Sequence, residues 1–262
     1  MSEDLDGADT GAARVTAAVL VIGDEILSGR TKDRNIGYIA EYLTEMGIEL
    51  AEARVVADDV EAIAEAVNAL RARCTYVFTT GGIGPTHDDI TADGVARAFG
   101  VAVHHDPRAV EILKSFLGDR LNEARLRMAR MPVGAELIEN AASKAPGWRV
   151  ENVHVMAGIP SVMQAMLDAV APTLRTGVKM LSRALAAHDV KEGDLGGPLG
   201  EIQARHAGVM IGSYPQFDGG RFLTTVVVRS RSEAALEAAS AEVARLIVEL
   251  GGAAPRSAEE QA

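Results

Sequence analysis

The feature that most constrains this chain is a repeated unit: a short apolar run, a turn, then a stretch with helical periodicity. Residues 15–22 (VTAAVLVI) are almost wholly apolar and end at Gly23. A run of that kind fits a strand buried on both faces, as in a parallel sheet. Asp33 is placed to cap a helix reaching Met46. Ile36, Ile39, Ala40, Leu43 and Met46 follow helical spacing, and Gly47 supplies the stop. Residues 48–56 read as a second strand. Asp58 then reads as the cap of a helix with Val60, Ile63, Val67 and Leu70 on one face. Residues 75–80 (TYVFTT) are β-branched and aromatic, which predicts a third strand. A glycine-rich loop and a helix over residues 92–99 follow. The order β-α-β-α-β-loop-α predicts an α/β fold, a mostly parallel sheet with helices on both faces.

Further along, residues 107–130 carry helical pattern with a break near Gly118, and Met131-Pro132 ends it. Residues 135–139 and 149–156 read as strands flanking a loop at 143–147. Pro160 opens a last helix with Val162, Met166 and Val170 along it. A boundary falls at 175–177. Beyond it come a strand (178–187), a helix (199–206), two strands (209–213 and 222–228) and a helix (232–250). That order predicts a small α+β domain over 176–250, after an α/β domain over 14–175. Residues 251–262 read as a polar tail. Residues 1–13, with Glu3, Asp4, Asp6 and Asp9 and no apolar periodicity, read as a disordered tail.

The 262 residues carry a formal net charge of -11. Such a chain repels phosphate backbones, so no nucleic-acid partner is expected. A small anion is still accommodated where backbone dipoles point at it. The single cysteine, Cys74, excludes a disulfide framework and a four-cysteine zinc site, and reads as a small core residue. No apolar stretch is long enough for a membrane helix, and the acidic N-terminus lacks a signal core. A cytoplasmic location is the expectation. The six histidines show no zinc spacing.

The strongest local motif is residues 79–91 (TTGGIGPTHDDIT), after a strand and before a helix. In open parallel sheets ligands bind at the carboxyl ends of strands, where such loops lie. Gly81, Gly82 and Gly84 let the backbone approach a ligand, the next helix brings a positive dipole end, and Thr80, Thr86 and Thr91 offer hydroxyls. Glycines at these positions also suit a plain tight turn. Asp88 and Asp89 beside an anion cradle suit a divalent cation bridging to phosphate. Asp89 and Thr91 are equally suited to cap the helix. The motif is neither a Walker loop nor the dinucleotide fingerprint. A second candidate is Asp24, Glu25 and Ser28 in residues 23–30, with Asn35 just beyond. If the first and third strands are neighbours, these two loops face one crevice. Asp58 and Asp59 follow the second strand, and residues 156–161, with Gly158, form another strand-to-helix turn.

These residues carry a resemblance. Residues 79–91 resemble the signature of the MoaB/Mog family, which binds molybdopterin. Residues 23–35 are similar to the opening of that family's CinA-like branch, Ala145-Pro146-Gly147 to its Ala-Pro-Gly turn, and Gly212-Ser213-Tyr214-Pro215 to a turn in the small domain of CinA-like proteins and eukaryotic FAD synthase. The resemblance implies a three-layer α/β/α MoaB/Mog-like domain with its pocket over the Gly-Gly-x-Gly loop. It implies catalytic roles for the two aspartates matching those essential in Mog-type adenylyl transferases, Asp58 and Asp89. Ligand-binding positions are then Asp24, Glu25, Ser28, Asn35, Thr80, Gly81, Gly82, Gly84, Thr86, Asp88, Thr91, Pro146, Gly147 and Gly158. The CinA-like branch implies hydrolysis of a nucleotide pyrophosphate such as ADP-ribose or FAD with a divalent metal (Mg²⁺, Mn²⁺ or Co²⁺), whose ligands are unassigned. The alternatives are a protein that binds or adenylylates molybdopterin, and a non-catalytic binding module. A homo-oligomer, dimer or trimer, is expected. The chain departs from the family pattern at Asp88, where the Mog motif has arginine, at Ala157, where a proline is usual, and at Val162, where a glutamate is frequent. It ends before the amidohydrolase domain usual in CinA proteins, so that activity is expected to be absent.

Overall fold

The apolar run at 15–22 becomes β1 (Thr16–Ile22), which is buried on both faces because its side chains alternate between two cores. In the computed structural model, which describes residues 14–218 and 221–253, the chain divides into two units, the first Arg14–Gly177. After β1 this unit runs through α1 (Asp24–Leu27), α2 (Asn35–Glu45), β2 (Glu49–Val56), α3 (Val60–Arg71), β3 (Tyr76–Thr80) and α4 (Thr91–Phe99). It continues with β4 (Val103–His105), α5 (Pro107–Leu117), α6 (Glu123–Leu126), β5 (Arg130–Pro132), β6 (Glu136–Ile138), β7 (Gly147–Val150), β8 (Val153–Met156) and α7 (Pro160–Val170).

The main sheet has the order β2-β1-β3-β8-β7-β6. The pairs β1–β2, β1–β3 and β3–β8 are parallel, and β7 and β6 extend the sheet antiparallel. On one face Ala18, Leu20 and Ile22 meet Ile63, Val67 and Leu70 of α3, Val95 of α4 and Leu113 of α5. On the other Ala17, Val19 and Val21 meet Ile39 and Leu43 of α2 and Met163, Met166 and Leu167 of α7. This is the mostly parallel α/β fold with helices on both faces that the alternation predicts, with β1 and β3 as neighbours.

Several local expectations change. Asp59, not Asp58, caps α3, accepting the Ala62 N–H at 2.9 Å. Residues 149–156 are not one strand but the hairpin β7–β8. Glu151 takes φ 49° at its turn, and the Asn152 side chain donates to the Arg71 and Cys74 carbonyls. Asp33 does hold the start of α2, accepting the N–H groups of Asn35 (3.2 Å) and Ile36 (2.9 Å). Cys74 is buried, and burial raises its thiol pKa.

The second unit runs β9 (Leu181–His188), α8 (Glu192–Arg205), β10 (Val209–Asp218), β11 (Arg221–Ser230) and α9 (Glu233–Glu249). Its sheet, β10-β11-β9, is antiparallel throughout. Leu195 and Leu199 of α8 and Leu236, Val243 and Ile247 of α9 pack on Leu185, Val226 and Val228. Helix α8 starts well before residue 199 despite Gly196, Gly197 and Pro198, because burial of Leu195 rewards the early turns. The disordered tail expected at 1–13 lies outside the described residues, as does most of the expected tail at 251–262. Among the described residues no helix is long and apolar enough to cross a membrane.

Candidate functional site

Four strand-to-helix loops meet at the carboxyl edge of β2-β1-β3-β8. The Gly23 N–H donates to Val56 O at 3.1 Å and the Gly81 N–H to Met156 O at 3.2 Å, which ties the strand ends together. Gly81 is required by its surroundings. It has φ 104°, and a Cβ there would stand 2.1 Å from Ile22 O. A Cβ at Gly158 would lie 3.3 Å from Gly81 Cα. The Asn35 side chain at the start of α2 donates from Nδ2 to Gly158 O at 2.9 Å, which fixes which way its amide points. Its Oδ1 is buried with no partner, and so is Thr80 Oγ1. Unsatisfied buried groups are costly, and these two border the same crevice. A cleft of about 500 Å³ opens there. Its walls are Ile22, Glu25 and Ile26, residues 30–35, Thr80-Gly81, and Gly158 with Pro160.

The loop after β3 is held from two sides. Asp89 accepts the Gly84 N–H through Oδ1 (2.7 Å), and the Thr86 N–H (2.7 Å) and hydroxyl (2.5 Å) through Oδ2. Arg127 donates to the carbonyls of Thr86 (2.9 Å), His87 (3.4 Å) and Asp89 (3.3 Å). Thr91 is buried and donates its hydroxyl to Gly81 O at 2.9 Å. A Cβ at Gly82 would fall 2.2 Å from that hydroxyl, so Gly82 is glycine to admit Thr91. Neither Asp89 nor Thr91 caps α4; the position before it is Ile90, with no side-chain cap. Asp88 is exposed, and its pKa is lowered chiefly by hydrogen bonding with Thr86.

Because Asp59 takes the cap, Asp58 is free to face the β1 loop. The Asp24 N–H donates to Asp58 Oδ2 at 2.9 Å, and the Asp58 N–H returns to Asp24 Oδ1 at 3.4 Å. Partial burial raises the Asp58 pKa. The negative charges of Asp24, Glu25 and Asp88 raise it further, against the bond from Asp24. Among the described residues no cation lies within ion-pair distance of Asp24, Glu25 or Asp58, and no three His, Cys, Asp or Glu side chains are grouped to hold a metal ion. The donor set fits a hard divalent cation that takes one or two carboxylates and completes its shell with water and phosphate oxygens, rather than one caged by protein alone.

The structure thus separates the sequence candidates. Glu25, Asn35, Thr80, Gly81 and Gly158 line the cleft, and the Asp24–Asp58 pair lies at the same strand ends. Gly82, Gly84, Thr86, Asp88, Asp89 and Thr91 build the neighbouring loop. Ser28 is exposed and donates to Glu25 O within its own turn. Pro146 and Gly147 are buried at the start of β7. A Cβ at Gly147 would meet Val155 O at 2.6 Å, so that glycine serves strand packing. Sequence reasoning passed over Arg30, Lys32 and Arg34, which alternate along the cleft wall, and Arg127. The first three were legible as charges; Arg127, about forty residues from the loop it clamps, left no local signal.

A family model described as "Probable molybdopterin binding domain" matches residues 18–176, and one described as "FAD synthase, middle domain" matches residues 179–250. A protein of Aeropyrum pernix is 37% identical over 254 residues, covering 90% of this chain and 95% of its own length. A "Probable FAD synthase" of Caenorhabditis briggsae is 28% identical over 261 residues, which cover 90% of this chain and 50% of that protein. A "CinA-like protein" of Desulfosudis oleivorans is 34% identical over 214 residues, 77% of this chain and 52% of that protein. The chain therefore spans about half the length of these last two relatives. Among solved structures, the protein CinA of Thermoplasma acidophilum is similar with a TM-score of 0.57 at 34% identity, over 60% of this chain and 98% of that one.

Proposed function

Since the chain belongs to the molybdopterin-binding-domain family, in the CinA-like group that shares a middle domain with FAD synthases, we propose that it is a divalent-metal-dependent nucleotide pyrophosphatase acting on a substrate of the ADP-ribose or FAD type. The observation that carries this reading is the division of charge at the end of β1. Arg30, Lys32 and Arg34 line the cleft together with Glu25, while Asp24 and Asp58, without a cation in ion-pair distance among the described residues, stand at the strand ends beside it. A pyrophosphate needs the first, and its metal ion needs the second.

In this reading Asp24 and Asp58 hold a divalent cation, which when bound offsets charge on the phosphoryl oxygens and polarises phosphorus. Gly81 and Thr80 border the phosphate, with Gly81 allowing close backbone approach. Glu25, the carboxylate on the cleft wall, takes the proton of the attacking water. Water then adds at one phosphorus, the bridging P–O bond breaks, and AMP leaves with the second monophosphate. Asp89 and Arg127 act by keeping the neighbouring loop in shape. The ligand is a small-molecule nucleotide, not a nucleic acid. The protein works in the cytoplasm as a homo-oligomer, dimer or trimer.

A second reading, pterin-phosphate binding or adenylylation in molybdenum-cofactor synthesis, is favoured by one observation. The buried acceptor Asn35 Oδ1 suits a ligand rich in N–H donors, as a pterin is. The test is AMP release from ADP-ribose, FAD and NAD, with and without Mg²⁺, Mn²⁺ or Co²⁺. Metal-dependent release supports the pyrophosphatase. Absence of turnover with tight molybdopterin binding supports the second reading. Neither activity leaves a non-catalytic binding module.

A further inference from the structure

Arg30, Lys32 and Arg34 are three cations within five residues of a chain whose net charge is -11. All three line the cleft, all are exposed, and among the described residues none makes a hydrogen bond or ion pair. The intervening Asp33 offsets part of this charge but forms no ion pair with them among the described residues, since its carboxylate turns to the first N–H groups of α2. Among the described residues no carboxylate of the neighbouring loops, Asp24, Glu25, Asp58, Asp88 or Asp89, lies within ion-pair distance of these three cations. The cleft thus carries three cations without an ion-pair partner among the described residues, with the Asp24–Asp58 pair at the same strand ends.

A pyrophosphate diester carries two negative charges that its divalent cation largely offsets, so it engages this wall but leaves most of the charge of its three cations unmatched. A phosphomonoester carries about −1.5 to −2 charges at neutral pH and presents three acceptor oxygens. The planar forks of two arginines and the point charge of a lysine match that group. Arginines beside a ribose are how nucleotide-binding folds take a ribose phosphate. We infer that the wall formed by Arg30, Lys32 and Arg34 selects a nucleotide pyrophosphate that carries a phosphomonoester on its ribose in addition to the pyrophosphate. The inference rests on reading this cleft as the pyrophosphate site, and it names the substrate class of that site. Asn35 Oδ1, buried and unpaired at the inner end of the same segment, is the acceptor for a donor group of the ligand beside that phosphate, such as a sugar hydroxyl.

The test uses two pairs of probes that differ by one phosphate. NADP and NAD differ at the ribose 2′ position, and coenzyme A and dephospho-coenzyme A at the 3′ position. Affinities are measured by calorimetry on the full chain with Mg²⁺ present. The expected result is at least about tenfold tighter binding of the phosphorylated member in one pair, which also identifies the position recognised. In the triple variant Arg30→Gln, Lys32→Gln, Arg34→Gln, whose substituted side chains are exposed, that ratio falls to near one. Equal affinity within both pairs, including no binding of any member, overturns the inference, as does a preference that survives the triple substitution. The pyrophosphatase reading stands or falls separately, on whether AMP is released from any of the pyrophosphates.

Discussion

Asp58 and Asp59 are adjacent carboxylates with separate tasks. Asp59 caps α3, and this leaves Asp58 to exchange hydrogen bonds with the backbone and side chain of Asp24. The sequence pattern gives the cap to Asp58; the path of the chain after β2 hands it to Asp59 instead. His154 is a second case in which surroundings override type. It is 1% exposed, and its ring stacks on Phe78 at 5.1 Å and meets Tyr76 edge-on at 5.8 Å. Burial, with the nearby Arg149 charge, lowers its pKa to about 4. The unfolded chain binds that proton near pH 6.5 and the folded chain only near pH 4. Stability is therefore full above about pH 6.5 and is lost as pH falls between those values, by on the order of 3 kcal/mol. In His154→Leu the urea-unfolding midpoint should change less between pH 7 and pH 4.5 than in the parent. An unchanged acid slope would show that His154 is not its source.

At the scale of elements, the loop between β3 and α4 is held as a unit by the Asp89 carboxylate within and the Arg127 guanidinium behind. Arg127→Ala should leave the fold intact, speed amide exchange at residues 84–89, and weaken ligand affinity by about tenfold through loss of order. Unchanged exchange in that loop would count against the clamp. The larger elements were legible in the sequence, because β1, β3 and the helices α2, α3, α4, α5 and α7 each carry their own period and stop signals. What was hidden is short or distant. Helix α1 is one turn long, and β4 and β5 have three residues each, too few to show a period. The β7–β8 turn falls on Glu151 and Asn152, without the glycine that usually signals positive φ. At the site, only Thr80 and Gly81 of the glycine motif line the cleft, and the rest of the motif builds the neighbouring loop. Arg30, Lys32 and Arg34 were visible as charges but not as lining of one cleft, because facing the cleft is a property of the fold.

For the molecule as a whole, each unit has its own core, and every residue of the cleft lies in the first. A chain cut to residues 14–177 should therefore fold and retain ligand affinity within about threefold. A much larger loss would give the antiparallel unit a part in binding. Its match to the FAD synthase middle domain does not by itself supply one. The central claim is that the acidic pair at the ends of β1 and β2 handles a metal-bound pyrophosphate. The most direct measurement is AMP release from ADP-ribose and FAD as Mg²⁺, Mn²⁺ or Co²⁺ is titrated, for the parent chain and for Asp58→Asn. The account predicts release that requires the metal and falls by about a hundredfold or more in the variant, with unchanged circular dichroism. Release that is indifferent to metal, or equal in both proteins, would contradict it.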